Sequence, residues 1–134
     1  MSETKQPANQ GPDSGELIYV VDDEPMLLEL AAVILGPLGY QIKTFQDPET
    51  ALKAYTSTNP KPPLIITDYA MHTMTGMDLI KECKRLNPAQ KIILVSGTVG
   101  EEEFRDMPVQ PNYFLAKPYE IRELTDLVRT VLAQ

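Results

Sequence analysis

Cysteine is nearly absent from this sequence: Cys83 stands alone, so no internal disulfide can form and nothing in the chain requires an oxidising compartment. Positive charge is also in short supply. Twelve Lys and Arg stand against 19 Asp and Glu, and the net charge of -7 opposes a grip on nucleic-acid phosphates or anionic lipid. No apolar run reaches the roughly 18 residues of a membrane span, and the N-terminus lacks the basic and then apolar pattern of a signal peptide. A G-x-x-x-x-G-K-[ST] motif is missing, which removes phosphate-loop chemistry. A cytoplasmic protein is expected, with no membrane partner and no direct contact with nucleic acid.

At 134 residues, the chain suits one core and is too short for two comfortable ones. Residues 1–15, "MSETKQPANQGPDSG", hold no large apolar residue beyond the initiator Met, so they are expected to form a disordered tail ahead of a domain at 16–134. Short apolar runs then alternate with helical patterns. The expected strands are "LIYVV" (17–21), "YQIKTF" (40–45), "LIIT" (64–67), "KIILV" (91–95) and "NYFLA" (112–116). Helical stripes lie at Met26 to Leu35, at Ala51, Leu52 and Tyr55, at Leu79, Ile80, Cys83 and Leu86, and from Ile121 to Leu132. A fifth, poorly patterned helix is expected in "EEEFRDM", where only Phe104 and Met107 make a stripe.

Boundary residues agree with this division. Pro25 and Pro48 suit first helical turns, Asp47 is placed to cap the second helix, Glu24 can cap the first, and Gly39 suits a left-handed helix end. Five strands alternating with five helices imply an α/β fold, a doubly wound parallel sheet covered on both faces. Strands 1, 3 and 4 are apolar almost throughout and belong at the centre; the more polar "YQIKTF" belongs at an edge.

In such a sheet, functional groups gather at the carboxyl ends of the strands. Those ends carry Asp22 and Asp23, then Asp68, then Ser96-Gly97, then Lys117-Pro118. Taken singly, each has an ordinary reading as a cap, a turn residue or a solvated cation. Independent caps have no reason to place three acids, a hydroxyl and an amine on one rim, so the combination is the signal. Three consecutive acids, Asp22 to Glu24, directly after a buried strand are costly unless something positive sits among them.

The sequence resembles the receiver domain of two-component response regulators, over essentially all of Glu16 to Gln134. The resemblance rests on "VDDE", on Asp68 in "LIITDYAMHTMTG", on Ser96 in "ILVSG" and on Lys117 in "YFLAKP". Asp68 lies 45 residues after Asp23, Ser96 a further 28 on and Lys117 a further 21, in the order the family has. The resemblance implies a flavodoxin-like sheet of strand order 2-1-3-4-5. It also implies Asp68 as phosphoacceptor, served by a histidine kinase or phosphotransfer protein, with Mg²⁺ as cofactor. Asp23 and Asp68 can ligate that hard cation directly, while Asp22 holds a metal-bound water. The family adds the main-chain carbonyl of Ala70. Ser96 and Lys117 would bind the phosphoryl oxygens, and movement of Ser96 would let Phe114 rotate. The fourth expected helix, strand 5 and the last helix would form the output surface for a downstream protein target and for a homodimer. The Lys117-Pro118 bond is cis in many relatives.

The chain departs from the family in places. Met71-His72 replaces the common Met-Pro, and Thr75-Gly76 stands where an acid commonly precedes the glycine. His72, the only histidine, invites a role as phosphoryl relay or pH-sensitive group, but an exposed loop side chain is the preferred reading. Ala70 and Thr98 flank the attacking water of dephosphorylation, and neither is a strong base, so rapid self-dephosphorylation is not expected. Cys83 reads as a small core residue. The domain is expected to assist its own phosphorylation and dephosphorylation without being an enzyme in the strict sense. One rival is a haloacid-dehalogenase-like phosphatase, which wants D-x-D after strand 1. The other is a pseudo-receiver that has kept the fold as a binding module and lost the switch. With no room for an output domain after the last helix, the sequence reads as a stand-alone receiver or as one cut from a longer protein.

Overall fold

The computed structural model describes residues 15–97 and 100–134. Strands β1 (Leu17–Val21), β2 (Gln41–Phe45), β3 (Leu64–Asp68), β4 (Lys91–Ser96) and β5 (Tyr113–Ala116) form one sheet, ordered β2-β1-β3-β4-β5. Every pairing is parallel. All carboxyl ends therefore meet along one edge of the sheet, as the sequence pattern requires.

Helices α1 (Pro25–Leu35) and α4 (Ile121–Leu132) cover one face of the sheet, while α2 (Pro48–Ser57) and α3 (Gly76–Leu86) cover the other. The alternation along each central strand decides which side chain goes where. Ile18, Val20, Ile66, Ile93 and Val95 pack with Leu28, Leu35, Leu124 and Val128, whereas Tyr19, Val21, Ile65, Ile92 and Leu94 pack with Ala51, Tyr55, Ile80 and Cys83. Central strands are apolar in both registers because both faces are dry. β2 has one neighbour and keeps Gln41, Lys43 and Thr44 exposed, so it is the polar edge strand.

Several terminators act as expected. Pro25 and Pro48 open α1 and α2, and the Asp47 side chain accepts the Glu49 N–H at 3.3 Å. Gly39 takes the left-handed conformation, φ 102°, after a short 3-10 turn at Gly36–Leu38. Glu24 occupies the N-cap position of α1, but its side chain makes no capping bond; its N–H instead donates to Asp22 Oδ1 at 2.9 Å. The expected tail lies outside the described residues except for Gly15, whose N–H donates to the Gly39 carbonyl at 2.8 Å.

One expected element is corrected. Among the described residues there are four α-helices, not five, and "EEEFRDM" holds only a 3-10 turn at Glu101–Glu103. Three adjacent carboxylates repel, Pro108 cannot donate a helical N–H, and Phe104 is buried while Met107 is 43% exposed. A single anchor cannot offset the cost of nucleating a helix. The Gln110 side-chain amide compensates locally by donating to the carbonyls of Phe104, Arg105 and Met107.

The loop from β3 to α3 is closed by two devices. Thr75, where the family commonly has an acid, caps α3: its hydroxyl accepts the Asp78 N–H at 3.1 Å, and Asp78 accepts the Thr75 N–H at 3.0 Å. Gly76 fits because its N–H bonds the Tyr69 carbonyl at 2.8 Å, and a Cβ there would lie 2.3 Å from the Asp68 carbonyl oxygen and 2.8 Å from Leu94 Cδ1. A Gly76→Ala variant is expected to lose on the order of 2 kcal/mol, the cost of overpacking against backbone. In urea unfolding the midpoint should fall with little change in slope. A midpoint equal to that of the native chain would contradict this packing.

Candidate phosphoacceptor and metal site

Asp22 follows β1, Asp68 ends β3, Ser96 ends β4 and Lys117 follows β5. Backbone bonds hold these ends in register. The Asp22 N–H donates to the Phe45 carbonyl at 3.0 Å, the Tyr69 N–H to the Val95 carbonyl at 2.9 Å, and the Lys117 N–H to the Ser96 carbonyl at 2.9 Å. Ser96 and Gly97 thus lie against Lys117. A Cβ on Gly97 would come within 3.3 Å of Lys117 Cβ, so the glycine lets the lysine stem pass close to the backbone.

The sheet brings three carboxylates together. One oxygen from each of Asp22, Asp23 and Asp68 lies within 4.8 Å of the others, and Asp22 and Asp68 are buried. Lys117 Nζ stands 3.0 Å from Asp68 Oδ1 and 3.3 Å from Asp22 Oδ2. A cavity of about 20 Å³ borders Asp22, Asp68 and Lys117 but is otherwise walled by apolar side chains of the core, among them Leu27, Ile66, Val95 and Leu124.

The ionisation balance of this cluster is uneven. Burial pushes the Asp68 carboxyl above its ordinary range, the Lys117 hydrogen bond pulls it back, and the Asp22 charge adds to the rise. For Lys117, burial works to lower the pKa, yet the Asp68 hydrogen bond and the charges of Asp22 and Asp68 prevail and raise it. The asymmetry has a simple cause: one ammonium serves two carboxylates, so the cation is over-compensated and the acids are under-compensated. An all-oxygen donor set with surplus negative charge suits a hard divalent cation such as Mg²⁺, whose opposite ligands stand about 4.2 Å apart.

The remaining expected residues are less concentrated. Ala70 lies exposed in the loop after β3, and Thr98 falls outside the described residues. Ser96 is 2% exposed at the end of β4, beside Ala116 in the ladder. Phe114 is half-buried in β5 and belongs to a row of rings not foreseen from the sequence. Its centroid lies 5.7 Å from that of Phe104, which stands 6.3 Å from Tyr69, the residue after Asp68. An aromatic at each of these positions is the only sequence signal for the row. Cys83 is buried as expected, and burial pushes its thiol up to about 12. His72 is exposed as expected, but its Nε2 lies 3.3 Å from Asp23 Oδ2. The Lys117-Pro118 peptide is cis.

A carboxyl whose folded pKa is raised favours folding in its protonated form, so ionisation of Asp68 removes stability as pH rises through its folded value. In the absence of divalent cations, Asp68→Asn is expected to melt about 3 °C higher at neutral pH, roughly what 1 kcal/mol is worth in a domain of this size. The gap should narrow on acidification, where the native carboxyl is already neutral. Calorimetric scans across that pH range measure it, and a variant that melts lower throughout would contradict the electrostatic account.

Residues 18–129 match the family model for the response regulator receiver domain. Transcriptional regulatory protein CssR from Bacillus subtilis is 33% identical over 116 residues, covering 86% of this chain and 50% of the relative. The structure of response regulator protein TrrA from Thermotoga maritima in complex with Mg(2+)-BeF superposes with a TM-score of 0.76 at 30% identity, covering 87% of this chain and 98% of that one. A response regulator receiver protein from Pseudomonas putida superposes with a TM-score of 0.77 at 31% identity and the same coverages. The chain spans about half the length of the curated relatives it matches. The phosphatase alternative has no support in this fold, whose first strand ends in adjacent acids rather than D-x-D. By its sheet order, its acidic rim and this match across most of its length, the chain belongs to the response regulator receiver domain family.

Proposed function

We propose that Asp68 accepts a phosphoryl group from a phosphohistidine on a histidine kinase or phosphotransfer protein, and that the domain works as a phosphorylation switch for protein partners. The observation that carries this is the meeting of Asp22, Asp23 and Asp68 within 4.8 Å, with Lys117 Nζ 3.0 Å from the Asp68 carboxylate. In the transfer, an Asp68 oxygen attacks phosphorus, the donor P–N bond breaks with its electron pair going to the imidazole nitrogen, and an acyl phosphate remains on Asp68.

Asp23, Asp68 and the Ala70 carbonyl would hold Mg²⁺ directly, with Asp22 acting through a bound water. The ion, when bound, supplies positive charge that lets a further anion join the cluster. Lys117 is within reach of the arriving phosphoryl oxygens, and the Ser96 hydroxyl at the end of β4 would donate to another. These bonds exist only after transfer, so they bias the domain toward a second conformation. Phe114 is the ring that would respond, by packing alone, since it carries no hydroxyl. The output face would comprise β5, the segment at 100–108 that replaces the expected fourth helix, and α4; a homodimer through that face is part of the same reading.

Incubation with Mg²⁺ and an acyl phosphate donor, read by intact mass, tests the assignment. The native chain should gain one phosphoryl group and Asp68→Asn none, and an equal gain in both removes Asp68 as acceptor. Replacing Lys117 with Ala should slow the gain by at least about tenfold, because a charge-paired donor is lost from the transition state. A native chain that binds no Mg²⁺ at millimolar levels would instead be a pseudo-receiver.

A further inference from the structure

One position in the dry layer beneath the rim holds a polar side chain that packing alone does not call for. Thr67 is 0% exposed. It follows Ile65 by two residues in β3, so its side chain shares the face that packs with Ala51, Tyr55 and Ile80 of α2 and α3. A hydroxyl buried among apolar groups costs free energy unless it is hydrogen-bonded. Its bond goes to the phosphoacceptor residue: Thr67 Oγ1 donates to the Asp68 main-chain carbonyl at 3.0 Å.

That carbonyl lies where the sheet runs out. β1 pairs with β3 as far as Val21 and Thr67, so the ladder on that flank stops one residue before Asp68. The groups that follow are held by main-chain bonds: the Tyr69 N–H donates to the Val95 carbonyl at 2.9 Å, and the Gly76 N–H donates to the Tyr69 carbonyl at 2.8 Å. The Asp68 carbonyl and the Tyr69 N–H belong to one planar peptide group. With β4 holding one end of that plane and the Thr67 hydroxyl the other, the plane cannot turn, and the direction in which the Asp68 side chain leaves the backbone is set. Two of these three bonds join main chain to main chain. Only the third can be removed by changing a side chain.

We propose that Thr67 is a positioning residue for phosphoryl transfer: its hydroxyl holds the peptide between Asp68 and Tyr69 so that the Asp68 carboxylate stands at the angle needed for attack on phosphorus. This rests on the reading of Asp68 as phosphoacceptor. Thr67 touches neither donor nor phosphoryl group and acts through Asp68. An attacking atom displaced by about 1 Å can lose on the order of 100-fold in rate, so a small turn of this peptide has a large effect. Without the hydroxyl, a buried carbonyl is deprived of its donor and turns toward another, and the carboxylate turns with it. Capture of the phosphodonor depends on other groups and is untouched.

Time courses of phosphorylation of the full chain by an acyl phosphate, in excess Mg²⁺ and over a range of donor concentrations, test this by intact mass. Thr67→Val keeps the branched shape without the hydroxyl, Thr67→Ala loses both, and Thr67→Ser keeps the hydroxyl alone. The rate should fall at least about tenfold in the Val and Ala variants, by the same factor at every donor concentration, and Ser should hold the native rate. Calorimetric scans identify the variants that are folded at the assay temperature, and if Val is not, Ala against Ser carries the comparison. A merely structural role lowers the melting temperature of the Val and Ala variants and leaves their rate native, which overturns the inference while Asp68 stands as acceptor. So does a Ser variant as slow as Ala, or a loss that vanishes at high donor concentration. A native chain that gains no phosphoryl group overturns the acceptor reading itself, and this inference with it.

Discussion

Mutual repulsion among Asp22, Asp23 and Asp68 is the constraint around which the rest of the structure is arranged. Two of the three are buried, and a lone ammonium stands within reach of the pair. The fold pays for that crowding with the packing of two apolar layers, one on each face of the sheet. What it obtains is a rim where positive charge is in demand. Cation binding, anion transfer and the response to both then become facets of one electrostatic imbalance.

Parallel pairing converts that imbalance into a defined site. With every strand pointing the same way, residues at 22, 68, 96 and 117 are delivered to one edge although they lie far apart in the chain. Ladder bonds fix their heights, and glycine at 76 permits a close approach that any side chain would block, while at 97 an added Cβ would sit tightly, 3.3 Å from Lys117 Cβ. The donor set therefore stands at the strand ends or within two residues of them, where the ladder sets its position.

Much of this was readable from the residues. Unbroken apolar runs in β1, β3 and β4 marked the centre of the sheet, and the more polar "YQIKTF" marked its edge, because burial on two faces leaves no room for alternation. The acids, serine and lysine were identifiable because strand ends in a parallel sheet have a known address. Harder to read was whatever depended on competition between weak local preferences. The segment from Glu101 to Met107 contains good helix formers, yet like charges and a single buried ring defeat the helix. Glu24 has the chemistry of a cap, but its side chain makes no capping bond; the Leu27 N–H donates to the Glu24 main-chain carbonyl, and the Glu24 N–H donates to Asp22. The approach of His72 to Asp23 crosses a loop whose path no periodicity encodes.

The row formed by Tyr69, Phe104 and Phe114 links the residue beside Asp68 to the outer strand of the sheet through one stacked and one tilted ring contact. Phe104 is the middle member and the buried anchor of its segment. The packing along this edge of the sheet is therefore set by one benzene ring between two others. Exchanging it for a smaller or bulkier side chain would disturb the packing of Phe114 on one side and, on the other, of Tyr69, the direct chain neighbour of Asp68.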